Sequence, residues 1–399
     1  MSISTANTYN SSLDALIARQ AAMSSTQEQM TTGKRVNRAS DDPAAAARTE
    51  RALAAQQRTV ANQRGVDAAN TAMSLTDQAM GDAGELLQQA REAMVSAGNA
   101  SFTDTERNTV ANQLAGLRQQ LLGIANRTDS SGRYLFGGQT AGQQPFADVP
   151  GGVQYQNTSG QSQAASGEPL PLTTDGASAW MTARSGNGVF TTKAVTSTGQ
   201  AWIDGGTVTN PSQITGSTYD IQFSVVGTAT TYSVLKDGAA MPALTGVPFT
   251  PGQAVQVDGL SANVAGAPAD GDTFELAPSN SNLSMFDALD KAIADLKTPG
   301  RTGTQIAQTN STNLGNLDQV LNQMSASRAQ VGAALNRVDA VTNRLASLKL
   351  SSETEQSNAQ DLDMTKAISD FSNQQTGYDA ALKAYSLVQK LSLFNYLGA

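Results

Sequence analysis

Apolar residues recur at a spacing of seven near both ends of this 399-residue chain, and that period restricts what the ends can become. Tyr9, Leu16, Met23 and Met30 form one row, with Leu13 three residues before Leu16 and Ile17 beside it. Met364, Phe371, Tyr378 and Tyr385 form a second, accompanied by Ile368 and Leu382. At each end the companion row is diluted by glutamine, Gln20 and Gln27 in one case, Gln375 and Gln389 in the other. A strand repeats every two residues and cannot present such rows; a helix covers seven residues in nearly two turns, so the pattern predicts coiled-coil packing.

The same period continues inward. Val66, Met73, Met80, Leu87 and Met94 keep it, with small partners at Ala69, Thr76, Ala83 and Ala90. Leu317, Met324, Val331, Val338 and Leu345 repeat it, and Val110, Leu114, Leu117, Leu121 and Ile124 step 4-3-4-3. Asp42 and Pro43 precede an alanine run and read as a helix cap followed by proline at the first helical position. Thr103 and Glu106 have the spacing of a capping box. Tyr134-Leu135-Phe136 before Gly137-Gly138 reads as a short strand ending in a hairpin.

The middle of the chain differs. Residues 151–280 hold 18 of the 35 glycines, 8 of the 12 prolines and, with 3 basic against 9 acidic residues, −6 of the net charge of −8. Alternating segments at Tyr219–Val226, Thr230–Leu235, Ala254–Val257 and Thr273–Leu276, separated by glycine-containing turns, predict antiparallel strands. The fold class is therefore mainly α with an inserted β-rich domain, the N- and C-terminal heptad helices pairing as a bundle.

Composition removes much chemistry. Without His or Cys there is no imidazole base, thiol nucleophile or disulfide, and nearly every zinc, copper or haem site is excluded. The negative charge argues against a nucleic-acid partner, and no apolar stretch approaches a membrane span. Residues 1–10 lack the basic start and apolar run of a cleavable signal peptide. Aromatics are only 5% of the chain, so a core anchored on large rings is not expected.

The candidate motifs reduce to structure. Pro43 explains Asp42 in the Asp41-Asp42 pair. Gly33-Lys34-Arg35 lacks the upstream Gly and following Ser/Thr of a phosphate loop. The glycines from Gly132 to Gly142 lack the strand and helix of a dinucleotide fingerprint. Asp361 and Asp363 fit an acidic first helical turn better than a calcium loop, and Asp270 and Asp272 flank Gly271 in a turn. The expectation is no catalytic residue, no cofactor and no metal. Pairing the two ends would leave apolar groups facing outward, so both are expected to order only when neighbouring copies cover them.

Two segments resemble a known family. Thr32-Gly33-Lys34-Arg35-Val36-Asn37-Arg38-Ala39-Ser40-Asp41-Asp42-Pro43-Ala44 and Arg328-Ala329-Gln330-Val331-Gly332-Ala333-Ala334-Leu335-Asn336-Arg337 are similar to the N- and C-terminal signatures of the flagellin superfamily. The start Met1-Ser2-Ile3-Ser4-Thr5, Pro43 after the aspartate pair, Gly132-Arg133-Tyr134-Leu135-Phe136 and the ending Leu391-Ser392-Leu393-Phe394-Asn395-Tyr396-Leu397 resemble its hook-associated protein 3 branch.

The resemblance implies three domains: a terminal helical polymerisation domain (1–40 with 355–399), a helical core domain (41–150 with 280–354, including a hairpin near 134–156) and an outer β-rich variable domain (151–279). It implies an extracellular flagellar protein exported unfolded through the type III apparatus with a chaperone on its C-terminal helix. Its copies would form a short tubular layer between hook-associated protein 1 and flagellin. The implied subunit interface comprises Tyr9, Leu13, Leu16, Ile17, Met23, Met30, Met364, Ile368, Phe371, Tyr378, Leu382, Tyr385, Leu391, Leu393 and Phe394. The competing readings are a filament flagellin, a coiled-coil surface adhesin, and an enzyme using the middle domain.

Overall fold

The computed structural model describes the backbone of residues 2–397 and the side chains of residue 7 and residues 9–387. Helices α1 (Ser2–Thr32), α2 (Pro43–Ala97) and α3 (Asp104–Ala125) lead into a hairpin of β1 (Phe146–Val149) and β2 (Gly152–Tyr155), then the short α4 (Gly176–Trp180). The strands that follow are β3 (Phe190–Thr196), β4 (Trp202–Ile203), β5 (Thr207–Val208), β6 (Tyr219–Val226), β7 (Ala229–Lys236), β8 (Ala239–Ala240), β9 (Val247–Pro248), β10 (Ala254–Val257), β11 (Leu260–Ala265) and β12 (Thr273–Pro278). The chain closes with α5 (Met285–Lys297), α6 (Gly303–Gln360) and α7 (Met364–Leu397). It divides into two compact units, Met1–Arg64 with Val341–Ala399, and Gly65–Ala340.

In the second unit the inner heptads form a helical core. Val66, Met73, Met80, Leu87 and Met94 are buried with Ala69, Thr76, Ala83 and Ala90, and Leu317, Met324, Val331 and Val338 with them in kind. Small residues between large ones let the helix backbones approach closely. The capping box at α3 is formed: Thr103 accepts from Glu106 N, and Glu106 Oε2 accepts from Thr103 N at 2.6 Å. Arg107, buried one turn on, donates to the carbonyls of Ala97 and Phe102 and so satisfies the end of α2. Arg118 is buried and joins Asp148, on β1, to Asp290, on α5.

Two expectations are corrected here. Tyr134-Leu135-Phe136 is not a strand: Tyr134 makes one isolated bridge to Thr128, while Leu135 and Phe136 are both buried. Successive side chains of a half-buried strand point to opposite faces, which that double burial forbids. The paired hairpin is β1–β2 instead, turning at Gly151 and Gly152, both at positive φ. The helical core also has an aromatic anchor. Trp180 stacks on Phe286 at 5.9 Å and 6°, Phe136 meets Trp180 edge-on at 5.2 Å, and Phe146 touches both Trp180 and Phe286. The low average aromatic content says nothing of how the few rings are distributed, and here they converge. This cluster takes Val153, Ala179, Trp180 and Ala183 from the glycine- and proline-rich stretch of the sequence.

The remaining strands form a module with its own core. One sheet runs β3-β12-β6-β7, with β8 and β9 both on β7; the other pairs β10 with β11 and places β4 and β5 on β11. All pairings are antiparallel, and the β6–β7 register Val226↔Ala229 leaves a two-residue turn at Gly227-Thr228. Tyr219, Ile221 and Phe223 alternate inward to meet Phe190, Val234 and Phe274.

Candidate subunit interface

In the unit holding both chain ends, α1 and α7 run antiparallel. The Tyr9 and Tyr385 rings lie 5.6 Å apart, and Thr26 Oγ1 lies 3.0 Å from Gln374 Oε1. Gly377 faces the tip of Arg19: a Cβ there would stand 2.5 Å from Nη1, the movable end of that side chain. The pairing separates the apolar residues of the terminal rows into two sets. Leu16 is buried, and Met23, Met30, Phe371, Tyr378 and Tyr385 are half-buried within the pair. Tyr9, Leu13, Ile17, Met364, Ile368 and Leu382 are exposed, Ile17 and Ile368 to more than half of their area. At about 100° per residue, Ile17 lies about a quarter turn from Leu16, and Leu13 and Ile368 about 60° from Leu16 and Phe371, whereas Tyr9, Met364 and Leu382 share the paired face and stay exposed at its margins. Sequence periodicity finds both sets and cannot rank them, because both fit one wide apolar face. Leu391, Leu393 and Phe394 lie outside the residues whose side chains are described.

The segment between α1 and α2 is fixed residue by residue. Gly33, at φ +69°, reverses the chain and accepts from Leu362 N. Lys34 bridges to Asp361, Arg35 N donates to Gln360 O at 2.7 Å, and Arg35 Nη2 donates to Ala359 O at 2.8 Å. Val36 is buried. Asp41 Oδ2 accepts from the backbone N–H of Asn37 and Arg38, which closes a turn. Asp42 caps α2 by accepting from Ala45 N at 2.9 Å, with Pro43 at the first helical position, and it also pairs with Arg35. Its carboxyl is held below the usual range, chiefly by the Ala45 N–H and then by the Arg35 guanidinium.

The aspartate pair is thus a turn lock and a helix cap. The clasp between 33–36 and 359–362 went unseen in the sequence, since pairing between residues over three hundred apart leaves no periodic trace. Asp363 caps α7 through Lys366 N, and Asp361 accepts from Ser357 Oγ. In the C-terminal motif, Arg328 forms a two-point ion pair with Asp77 and packs over Gly81, where a Cβ would sit 3.6 Å from the guanidinium; Val331 is buried.

Asp270 and Asp272 are engaged in structure. Asp270 accepts from Ser224 Oγ and Val225 N, and Asp272 is buried among backbone donors. Among the described residues no group of three or more His, Cys, Asp or Glu is placed to hold a metal, and no helix is long and apolar enough to cross a membrane.

With this geometry established, the bacterial flagellin N-terminal helical region matches residues 3–141 and the flagellin C-terminal helical region matches residues 314–397. The chain belongs to the flagellin superfamily. Its full-length likeness is to the hook-associated protein 3 branch: it is 26% identical to flagellar hook-associated protein 3 of Escherichia coli K12 over 399 residues, covering 99% of each chain. The crystal structure of hook-associated protein 3 from Legionella pneumophila superposes with a TM-score of 0.71 at 25% identity, over 76% of this chain and 97% of that one. The flagellin of Bacillus subtilis is 30% identical over 133 residues, 32% of this chain and 42% of that protein. The helical N- and C-terminal regions of this chain are thus those of the flagellin superfamily, and its fold is like that of hook-associated protein 3.

Proposed function

We propose that copies of this chain form the layer that joins the flagellar hook to the filament, meeting hook-associated protein 1 on one side and flagellin on the other. The observation that carries this reading is the exposed row Tyr9, Leu13 and Ile17 on α1 with Met364, Ile368 and Leu382 on α7. An apolar face of this extent marks an interaction surface, and in a self-assembling family the neighbouring copy is the natural cover. The terminal helices serve as the polymerisation domain, and the β module, with its separate core, as the outward insertion. Export proceeds unfolded through the type III apparatus with a chaperone on the C-terminal helix, and assembly takes place outside the cell. Such a chain needs neither reaction nor cofactor. A filament flagellin is the second reading. The match to hook-associated protein 3, at 26% identity over 99% of the chain, against 23% over 88% for the flagellin of Clostridium tyrobutyricum, favours the junction.

Leu13→Asp and Ile368→Asp test this directly. Both positions are exposed, so each purified variant should keep wild-type helicity. Expressed as the sole copy, each should leave hooks in place, abolish filaments and shed flagellin into the medium, visible by electron microscopy. Swimming with normal filaments would overturn the interface.

A further inference from the structure

The β module, residues 187–278, is joined to the helical core by a narrow neck. Two passages of chain make it: Ala183 and Leu283 exchange backbone hydrogen bonds at 3.0 Å, Ser185 N donates to Asn280 O, and Ser279 N donates to Val189 O. Residues 280–282 are exposed, and Gly186 and Gly188 sit at positive φ, where glycine alone is unstrained. The apolar clusters on the two sides of the neck share no residue. Past the neck the module rests on one stripe of α6, namely Gln308, Thr312, Gly315, Asn316 and Gln319, each polar or glycine. The apolar residues Leu317, Val320 and Met324 of the same helix are buried in the helical core instead. Gln308 Oε1 accepts from Ile203 N at 2.8 Å, and Asn316 Oδ1 accepts from Gly186 N at 3.0 Å. Among the described residues no ion pair joins the module to the core. Cavities of about 460 and 590 Å³ flank the contact, the first lined by Arg91, Thr191 and Ser311 among others, the second by Lys193, Thr198 and Thr302. Polar clefts of that size admit water, and water replaces an amide hydrogen bond at small net cost. Gln308 Nε2 is buried without a hydrogen-bond partner, so docking carries a desolvation penalty that release removes.

We propose that the β module is a hinged arm, turning about residues 184–188 and 279–282 between a position docked on α6 and one in which it stands clear and the stripe is open to water. Two bodies with separate cores and a polar, wet contact are the arrangement in which relative motion is the default. Hinges take up such motion at a few residues of a connection, as the two short passages of the neck allow. Both apolar cores stay closed throughout, so the motion breaks only the few hydrogen bonds to the amides of α6. It belongs to the single chain and does not depend on assembly.

The chain has no cysteine, so Val95→Cys and Val226→Cys in one full-length molecule carry a single pair of spin labels. Both positions are exposed. Val95 lies on α2, one turn before Gly98, which packs against Asn310 of α6. Val226 ends β6, beyond the Gln222↔Thr273 pair and so at the end of the module away from the neck. Double electron–electron resonance should give two separations, the longer from the released arm. Gln308→Ala deletes the acceptor of Ile203 N; alanine suits a helix and Gln308 belongs to neither apolar core, so the fold is kept. The longer separation should gain roughly five-fold in population, the equilibrium equivalent of one hydrogen bond. One separation, the same in both proteins, overturns the hinge, and two separations that Gln308→Ala leaves in the same proportion overturn the dock. Amide hydrogen exchange tests the same motion without a variant. Ile203 is buried and its N–H donates to Gln308, whereas Phe223 N–H donates to Asp272 O inside the module. Ile203 should exchange roughly a hundred-fold faster than Phe223, because opening the arm exposes the first and not the second. Equal protection of the two would mean that the module leaves α6 only by unfolding, and the arm would be fixed.

Discussion

The carboxylate of Asp272 accepts hydrogen bonds from Thr198 N at 2.7 Å, Thr198 Oγ1 at 3.0 Å, Gly199 N at 3.1 Å and Ala269 N at 2.8 Å. Burial opposes its ionisation, but these donors prevail and hold its carboxyl below the usual aspartate range. A group more acidic in the folded state than in the unfolded chain adds stability above the unfolded value, near pH 4, and loses that contribution as pH falls through the lower folded value. Asp272→Asn turns one acceptor into a donor that faces N–H groups, which at pH 7 should cost the β module about 2–3 kcal/mol. The deficit relative to wild type should hold down to about pH 5 and shrink as pH falls below about 4 and on through the lower folded value, as first the unfolded and then the native carboxyl takes up its proton. Denaturant titrations followed by fluorescence of Trp202, which lies in this module, measure it. A deficit unchanged at pH 3 would show that packing, not the carboxylate charge, is responsible. The sequence exposes Asp272 as a turn residue next to Gly271, and Ala269 N is local to it, but the Thr198 and Gly199 donors sit more than seventy positions away, and no local pattern announces them.

Among the elements, helix position follows from the seven-residue period and from caps such as Asp42-Pro43 and Thr103/Glu106, all of which act within a few residues of themselves. Helix partnership does not, since Leu16 and Ile17 are equally apolar and only the packing of α7 makes one buried and the other exposed. That division has an energetic consequence. In the α1–α7 pair most of the inner apolar side chains are half-buried, whereas Met73, Met80, Leu87 and Met94 on α2 are almost wholly covered. Each fully buried side chain contributes roughly 1.5–3 kcal/mol, and partial burial proportionately less, while the backbone ordering cost per residue is similar for every helix. The terminal pair should therefore open far more often than the helical core in the isolated chain. Amide hydrogen exchange on the purified protein should show residues 9–30 and 364–385 exchanging at least a hundred-fold faster than residues 66–94. Assembly should remove most of that difference. Equal, slow exchange in the isolated chain would contradict the idea that neighbours complete these helices.

For the whole molecule, composition divides the chain at residue 151, but the side chains draw the line elsewhere. Val153 and Trp180 belong to the helical core, where Trp180 packs between Phe136, Phe146 and Phe286. Glycine and proline mark irregular backbone, and this stretch is irregular, yet irregular backbone can carry core residues; that is why the boundary misleads. The β module joins the core through a ribbon in which Ser185 N donates to Asn280 O and Ser279 N to Val189 O, with Ala183 bridged to Leu283. The ends of the module are thus already adjacent, so an excision that respects them closes with a short turn. Replacing residues 187–278 by a Gly-Asn-Gly turn should leave the helical core cooperative, its melting temperature within a few degrees of wild type, because only the separate core of Phe223, Val234 and Phe274 is lost. Removing 151–278 instead also deletes Trp180 and Val153. Losing a buried tryptophan alone costs about 3–5 kcal/mol, a large share of the roughly 5–15 kcal/mol that holds a domain together. The longer deletion should therefore yield a protease-sensitive chain that fails to assemble, while the shorter one still builds filaments. Calorimetry and limited proteolysis separate the two. Comparable behaviour of both deletions would mean that the aromatic cluster is dispensable to the helical core.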